Sequence, residues 1–188
     1  MKRTLRDLYQ IKVSLNGAKP PIWRRLTISS AMDLEELHDV LQIAMGWTDS
    51  HLHQFIVGNL RYGVPDPDFG GGMIPERGVR VGTLLNKEKQ WMTYEYDFGD
   101  GWEHKIVLEK ILPFEPGNAE PICIAGRRSC PPEDVGGIWG YARFLEAYSD
   151  ADHPEHEEML EWAGEDFDPE RFDQSEVNAI LAGDVNNA

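Results

Sequence analysis

Hydrophobic and polar positions alternate along residues 8–15: Tyr9, Ile11, Val13 and Leu15 share one face, Gln10, Lys12 and Ser14 the other. A period of two predicts a half-buried strand. Asn16-Gly17 is a turn signal, and Pro20-Pro21 leads into a second strand over 22–28, with Ile22, Arg24, Leu26 and Ile28 on one face and Trp23, Arg25 and Thr27 on the other. The period then becomes helical. Leu34, Leu37, Leu41 and Ala44 form a stripe that Val40 and Met45 widen; Asp33 with Glu36 is a capping box, and Gly46 is the left-handed stop. Residues 51–57 read as a strand and 60–62 as its short partner, while 64–78, rich in Pro and Gly, read as irregular loop. A helical turn is expected at 81–85.

Residues 91–98 and 102–108 predict a hairpin. A three-residue turn, Gly99-Asp100-Gly101, would pair Phe98 with Trp102, Tyr96 with His104, Tyr94 with Ile106 and Met92 with Leu108. That register gathers the apolar side chains on one face and leaves Glu95, Asp97, Glu103 and Lys105 outside. Residues 113–132 carry Pro, Gly and Cys and read as loop. Beyond them Tyr141, Phe144, Leu145 and Tyr148 mark a helix, Asp152-His153-Pro154-Glu155 opens another that stops at Gly164, and Ser175 caps a last one over 176–181. Two strands, a helix, two strands, a helical turn, two strands and then helices make an α+β fold with a mixed or antiparallel sheet. A sheet crossed by one helix resembles a β-grasp arrangement, here with a C-terminal helical section. One domain is expected over 1–188, with a sheet-plus-helix core over 1–112 and a loop and helical extension over 113–188.

Composition supports a packed core: 41% of the 188 residues are hydrophobic, with 6 Trp, 6 Tyr and 7 Phe. No apolar run approaches a membrane span of roughly 18 residues, and no secretory signal follows the basic start, so a cytoplasmic protein without membrane contact is expected. Cys123 and Cys130 make no disulfide framework and read as free thiols. The formal net charge of −15 opposes binding to nucleic acid. Bases gather at the start (Lys2, Arg3, Arg6, Lys12, Lys19, Arg24, Arg25), and residues 150–173 hold eleven acids against Arg171. Attraction between these two ends, with Arg24 and Arg25 paired to C-terminal carboxylates, is the expected use of that asymmetry.

Several segments together carry a resemblance. They are Pro21-Ile22-Trp23-Arg24-Arg25-Leu26, Ser50-His51-Leu52-His53-Gln54-Phe55, the run from Tyr96 through Asp97-Phe98-Gly99-Asp100-Gly101-Trp102 to His104, Cys130-Pro131-Pro132-Glu133-Asp134-Val135-Gly136-Gly137 with Gly140-Tyr141, and Phe167-Asp168-Pro169-Glu170-Arg171-Phe172-Asp173. As a set they resemble the plasmid pRiA4b ORF-3-like family, also met as insertion-element passenger proteins labelled TnpR. The label suggests a resolvase. A serine recombinase, however, uses an early Ser among arginines and a basic helix-turn-helix, whereas Ser14 is a predicted strand residue without such company and the C-terminal part is acidic.

The candidate chemistry follows from residue types. His51 and His53, two apart on a strand, share a face. With His104 and Asp100 they would form a His/carboxylate set suited to a divalent metal, the one cofactor these residues could hold. Trp23, Arg24, Arg25, Asp100, Trp102, Cys130, Glu133 and Asp134 would form a binding surface for a protein or small molecule. Each has a structural alternative: Asp100 as a turn residue, the tryptophans as core, Glu133 and Asp134 as favourable charges at a helix start. The function expected first is a soluble, non-enzymatic binding or accessory module. A metal-dependent hydrolase or nuclease is the second expectation. A mobile-element accessory protein contacting DNA or a recombinase is the third.

Overall fold

A computed structural model of the chain describes residues 7–65, 72–114, 121–164 and 166–183. Lys2, Arg3 and Arg6 of the basic start lie outside these residues, as does part of the expected 64–78 loop. Eight strands form one sheet: β1 (Asp7–Leu15), β2 (Trp23–Ser29), β3 (His53–Val57), β4 (Leu60–Gly63), β5 (Met73–Pro75), β6 (Trp91–Tyr96), β7 (Trp102–Pro113) and β8 (Ile122–Arg127). Their order is β5-β4-β3-β6-β7-β1-β2-β8, antiparallel throughout except for the β4–β5 pair. The helices are α1 (Leu34–Met45), α2 (Val81–Leu84), α3 (Gly137–Ser149), α4 (His156–Ala163) and α5 (Gln174–Leu181). The fold is therefore α+β. Among the described residues no helix is long and apolar enough to cross a membrane.

Alternation decides which face of the sheet is buried. Ile11, Val13 and Leu15 of β1, Leu26 and Ile28 of β2, Phe55 of β3, Met92, Tyr94 and Tyr96 of β6, and Trp102, Ile106 and Leu108 of β7 are all buried in one cluster with Leu34, Leu37 and Leu41 of α1. The opposite face keeps polar side chains, as a one-sided antiparallel sheet should. There Arg25 forms a two-pronged ion pair with Glu109 (2.6 and 3.0 Å), and Lys12 and Arg25 flank the Trp23 ring. The α1 capping box forms as its sequence dictates: Asp33 Oδ1 accepts from the Glu36 amide and Glu36 Oε2 from the Asp33 amide, while Gly46 adopts φ 87° at the C-cap. The other edge of the sheet is closed by a side chain. Asn178 of α5 accepts from the Cys123 amide (2.7 Å) and donates to its carbonyl (2.9 Å), satisfying the outer edge of β8.

Four expectations need correction. The hairpin pairs Tyr96 with Trp102, Tyr94 with His104 and Met92 with Ile106, two residues away from the expected register. A slip of two preserves which side chains share a face, so burial alone could not separate the two registers. The loop chemistry decides: Asp97 turns left-handed (φ 55°), its Oδ1 accepts from the Gly99 and Asp100 amides, and its own amide donates to Leu52. Phe98 is thereby left exposed while Asp97 is buried. Second, β7 runs on to Pro113 and β8 occupies part of the expected 113–132 loop; β5 lies within the expected 64–78 loop. Third, α4 begins at His156, and α5 is capped by Asp173, which accepts from the Ser175 and Glu176 amides, rather than by Ser175. Fourth, among the described residues Arg24 and Arg25 do not pair with C-terminal acids. Arg25 uses Glu109, and Arg24 donates to the carbonyls of Ala44, Trp23 and Arg127 and stacks on Phe172.

Candidate functional site

The face of α1 that meets the sheet carries two polar residues inside its apolar stripe, His38 and Gln42, one turn apart and both buried. They complete a closed ring of hydrogen bonds. The Asp49 amide donates to Gln42 Oε1 (2.9 Å), which fixes the orientation of the amide group. Gln42 Nε2 then donates to the Tyr94 hydroxyl (2.9 Å). That hydroxyl donates to His38 Nδ1 (2.8 Å), leaving the imidazole proton on Nε2, which donates to Asp49 Oδ1 (2.8 Å). Burial, reinforced by the neighbouring His53, lowers the His38 pKa, so the ring is neutral at neutral pH. Burial raises the Tyr94 pKa and keeps it protonated.

His53, at the start of β3, stacks on His38 with ring centroids 3.5 Å apart and planes 6° from parallel. Its Nε2 donates to both oxygens of Glu76 (3.1 and 2.9 Å), a carboxylate that is itself buried. His38, Asp49 and His53 present their ligating atoms within 4.8 Å of one another, and Glu76 stands behind His53. Two imidazoles and two carboxylates thus converge on a cleft of about 480 Å³, which Leu52, Val64, Met73 and Phe98 line with apolar groups and Glu35 and Asp39 with further acids.

A second cluster borders the same cleft. His51 Nε2 lies 3.3 Å from Asp134 Oδ1 and 3.8 Å from Asp97 Oδ2. It is screened from solvent yet makes no hydrogen bond. Asp97 belongs to the hairpin loop and Asp134 to the loop before α3, and these loops dock on one another. Asp100 Oδ2 accepts from the Gly136 amide (3.0 Å), Glu133 accepts from the Tyr96 and Thr48 hydroxyls (both 2.5 Å), and Trp47 Nε1 donates to Pro131 (3.0 Å). Two glycines are sterically required: a side chain on Gly137 (φ 67°) would meet the Asp100 carbonyl at 2.3 Å, and one on Gly140 the Val135 carbonyl at 1.9 Å. Asp49, Asp97 and Asp134 all have positive φ (56°, 55° and 61°). Asp tolerates this better than most residues, and such conformations gather where surrounding structure holds them for a purpose.

The residues expected from sequence to hold a metal are therefore dispersed. His51 and His53 enter two different clusters. His104 is fully buried, faces the Tyr94 carbonyl (3.3 Å) and packs edge-on to Trp47; burial pushes its pKa down to about 4. Asp100 is occupied by Gly136. The expected binding surface is not continuous either, since Arg24, Trp102 and Cys130 are buried, Asp134 meets His51 in the second cluster, Glu133 is held by Tyr96 and Thr48, and Trp23 lies on the open sheet face. Burial also raises the Cys130 thiol to about 11, against its use as a nucleophile. His38, Asp49 and Glu76 were not expected. His38 had a signal, a titratable residue inside an apolar stripe. Glu76, linked to His53 across 23 residues of chain, had none.

The family's sequence profile, described as plasmid pRiA4b ORF-3-like protein, matches residues 7–176. The chain belongs to this family. A pRiA4b ORF-3-like relative, the uncharacterised protein y4hQ of Sinorhizobium fredii (strain NBRC 101917 / NGR234), is 41% identical over 177 residues, spanning 93% of this chain and 91% of its own. A crystal structure of a protein of unknown function, MM3350 from Methanosarcina mazei Go1, matches with a TM-score of 0.82 and 38% identity, covering 92% of this chain and 98% of that one.

Proposed function

We propose that the protein is a divalent-metal-dependent hydrolase whose ion is held by His38, Asp49 and His53, with Glu76 alongside. One observation carries the reading: two imidazoles, the buried Glu76 carboxylate and the solvent-facing Asp49 carboxylate converge on one cleft, with the ligating atoms of His38, Asp49 and His53 within 4.8 Å of one another. The buried Glu76 carboxylate favours a nearby cation, and a single dication balances it together with Asp49. Imidazole and carboxylate together suit zinc, manganese, iron or nickel. An ion bound through Nε2 would require each imidazole to carry its proton on Nδ1, where His38 would donate it to the Tyr94 hydroxyl. An ion held there with a position open to the cleft would polarise a carbonyl or activate a water. Glu35, Asp39, Asp49 and Glu76 give the cleft a negative potential, which favours an uncharged or cationic ester or amide with an apolar part over a polyanion. A nuclease is the weaker form of the reading for that reason.

A second reading, a non-catalytic binding module, draws on a different observation: Trp139 and Trp162 are exposed (81% and 46%) on α3 and α4. The two readings separate by elemental analysis of tag-free protein purified without chelator and by hydrolysis of p-nitrophenyl esters and anilides. The hydrolase reading expects a metal equivalent held by this set and ester or anilide turnover, that equivalent and the turnover both lost in His38→Ala and His53→Ala. Metal and turnover unchanged in both variants would refute it.

A further inference from the structure

The cluster of His51, Asp97 and Asp134 shares no ligand atom with the set just described. We infer that it is a second divalent-cation site, taking zinc or manganese through His51 Nε2, Asp97 Oδ2 and Asp134 Oδ1. Three features point there. The ligating atoms lie within 4.8 Å of one another. Tetrahedral zinc, with bonds of about 2.0–2.2 Å, places its ligand atoms roughly 3.3 Å apart; His51 Nε2 already stands 3.3 Å from Asp134 and 3.8 Å from Asp97. And Nε2, sealed from solvent between two carboxylates, hydrogen-bonds to neither, the arrangement a missing central cation leaves.

The surrounding residues select these atoms. Asp97 commits Oδ1 to the Gly99 and Asp100 amides, so only Oδ2 turns to His51. Fixing a ligand through its other atoms is how protein metal sites are oriented. Asp134 contributes from the mostly exposed side (side chain 73% accessible), leaving the fourth position of a tetrahedral ion open to solvent. The ion would join three segments: the stretch before β3, the β6–β7 loop and the loop before α3. It would therefore fasten the two docked loops at the rim of the cleft.

The test is metal counting on the full-length protein, stripped with chelator, dialysed against micromolar Zn²⁺ and read by plasma mass spectrometry, with a parallel thermal melt to confirm folding. Asp134→Asn is the informative variant, because Asn accepts the left-handed backbone and the side chain is exposed. Two equivalents are expected in the wild type, one in Asp134→Asn and in His51→Ala, one in His38→Ala, and none when His38→Ala and Asp134→Asn are combined. A wild type with one equivalent, lost in Asp134→Asn and His51→Ala but kept in His38→Ala, would uphold this site and refute the cleft reading above. One equivalent lost only in His38→Ala would do the reverse. Retention of all bound zinc in both Asp134→Asn and His51→Ala, or no zinc at all in the wild type, would overturn the inference.

Discussion

Replacing Tyr94 by Phe deletes one oxygen from the centre of the His38 ring of hydrogen bonds and leaves the packed aromatic ring in place. Tyr94 is fully buried, and its hydroxyl is the partner of both Gln42 Nε2 and His38 Nδ1, each on a residue only 4% exposed. Neither group can turn to water. An unsatisfied buried polar group costs about 1–3 kcal/mol, and the lost desolvation of the hydroxyl itself offsets part of two such terms, so about 2–4 kcal/mol of stability should be lost. In a chain of this length that corresponds to a fall in Tm of roughly 5–15 °C. Urea unfolding monitored by tryptophan fluorescence measures it, with an unchanged slope showing that the folded and unfolded states are otherwise the same. The same substitution frees His38 from its orienting partner, so affinity for a bound metal should fall by about 10–100-fold. A loss below about 0.5 kcal/mol at unchanged slope would show that the hydrogen-bond ring is not a structural unit and that His38 is held by packing alone.

Two further predictions concern the core and the loops. His104 is buried with its pKa pushed down to about 4, against an ordinary value of 6.5; its protonation favours the unfolded chain, so its contribution is complete above about pH 6.5 and is lost as pH falls towards 4, by about 3 kcal/mol across that window. His38, also lowered, adds to the slope with the same sign, and Glu109, lowered by its bond to Arg25, adds to it once pH falls below its ordinary value of 4.5. Unfolding measured from pH 7 to pH 4 should therefore be visibly less steep in His104→Leu; equal slopes would refute the assignment. Gly137→Ala combines a left-handed backbone with a 2.3 Å approach to the Asp100 carbonyl, whereas Gly46→Ala is left-handed with open space around it. The backbone term alone is about 1–2 kcal/mol, so Gly137→Ala should cost at least about 1 kcal/mol more than Gly46→Ala in the same unfolding assay, and equal costs would mean that the loop contact yields freely.

What could be read from the chain divides along a physical line. Helix α1 was fully legible because its capping box, its stripe and its glycine stop are all local. The strands with clean alternation, β1 and β2, were legible for the same reason. Strand β8 was not: residues 122–127 end in Ala-Gly-Arg, follow a Pro- and Gly-rich stretch, and owe their extended state to pairing with β2 and to Asn178 of α5. The hairpin register escaped because a slip of two leaves every side chain on its face. The inference that His51 and His53 share one site failed for a related reason. The rule of two applies within a strand, but β3 begins only at His53, and Asp49 turns left-handed just before it, so His51 leaves the strand's periodicity and meets the hairpin loop instead. Glu76 and Asp134 reach their histidines through tertiary contacts alone.

The short motifs that mark the family are, in this chain, largely instructions for docking two loops. Gly137 and Gly140 admit close backbone approaches, Glu133 is held by Tyr96 and Thr48, and the Pro131 carbonyl receives Trp47. The result of that docking is to bring Asp134 to within 3.3 Å of His51. By contrast, His38 stands on α1 and His53 on β3, and Asp49, in the connection between them, is tied back to α1 by His38 and Gln42. The two clusters should therefore respond differently to perturbation. Loosening the loops, as Gly137→Ala does, should disperse the ligands of the His51 cluster before it affects the His38 set, whereas Tyr94→Phe should weaken the His38 set while leaving the loop contacts intact. Zinc counting on these two variants separates the clusters without touching a ligand. A loss of the same equivalent from both would show that the clusters behave as one site.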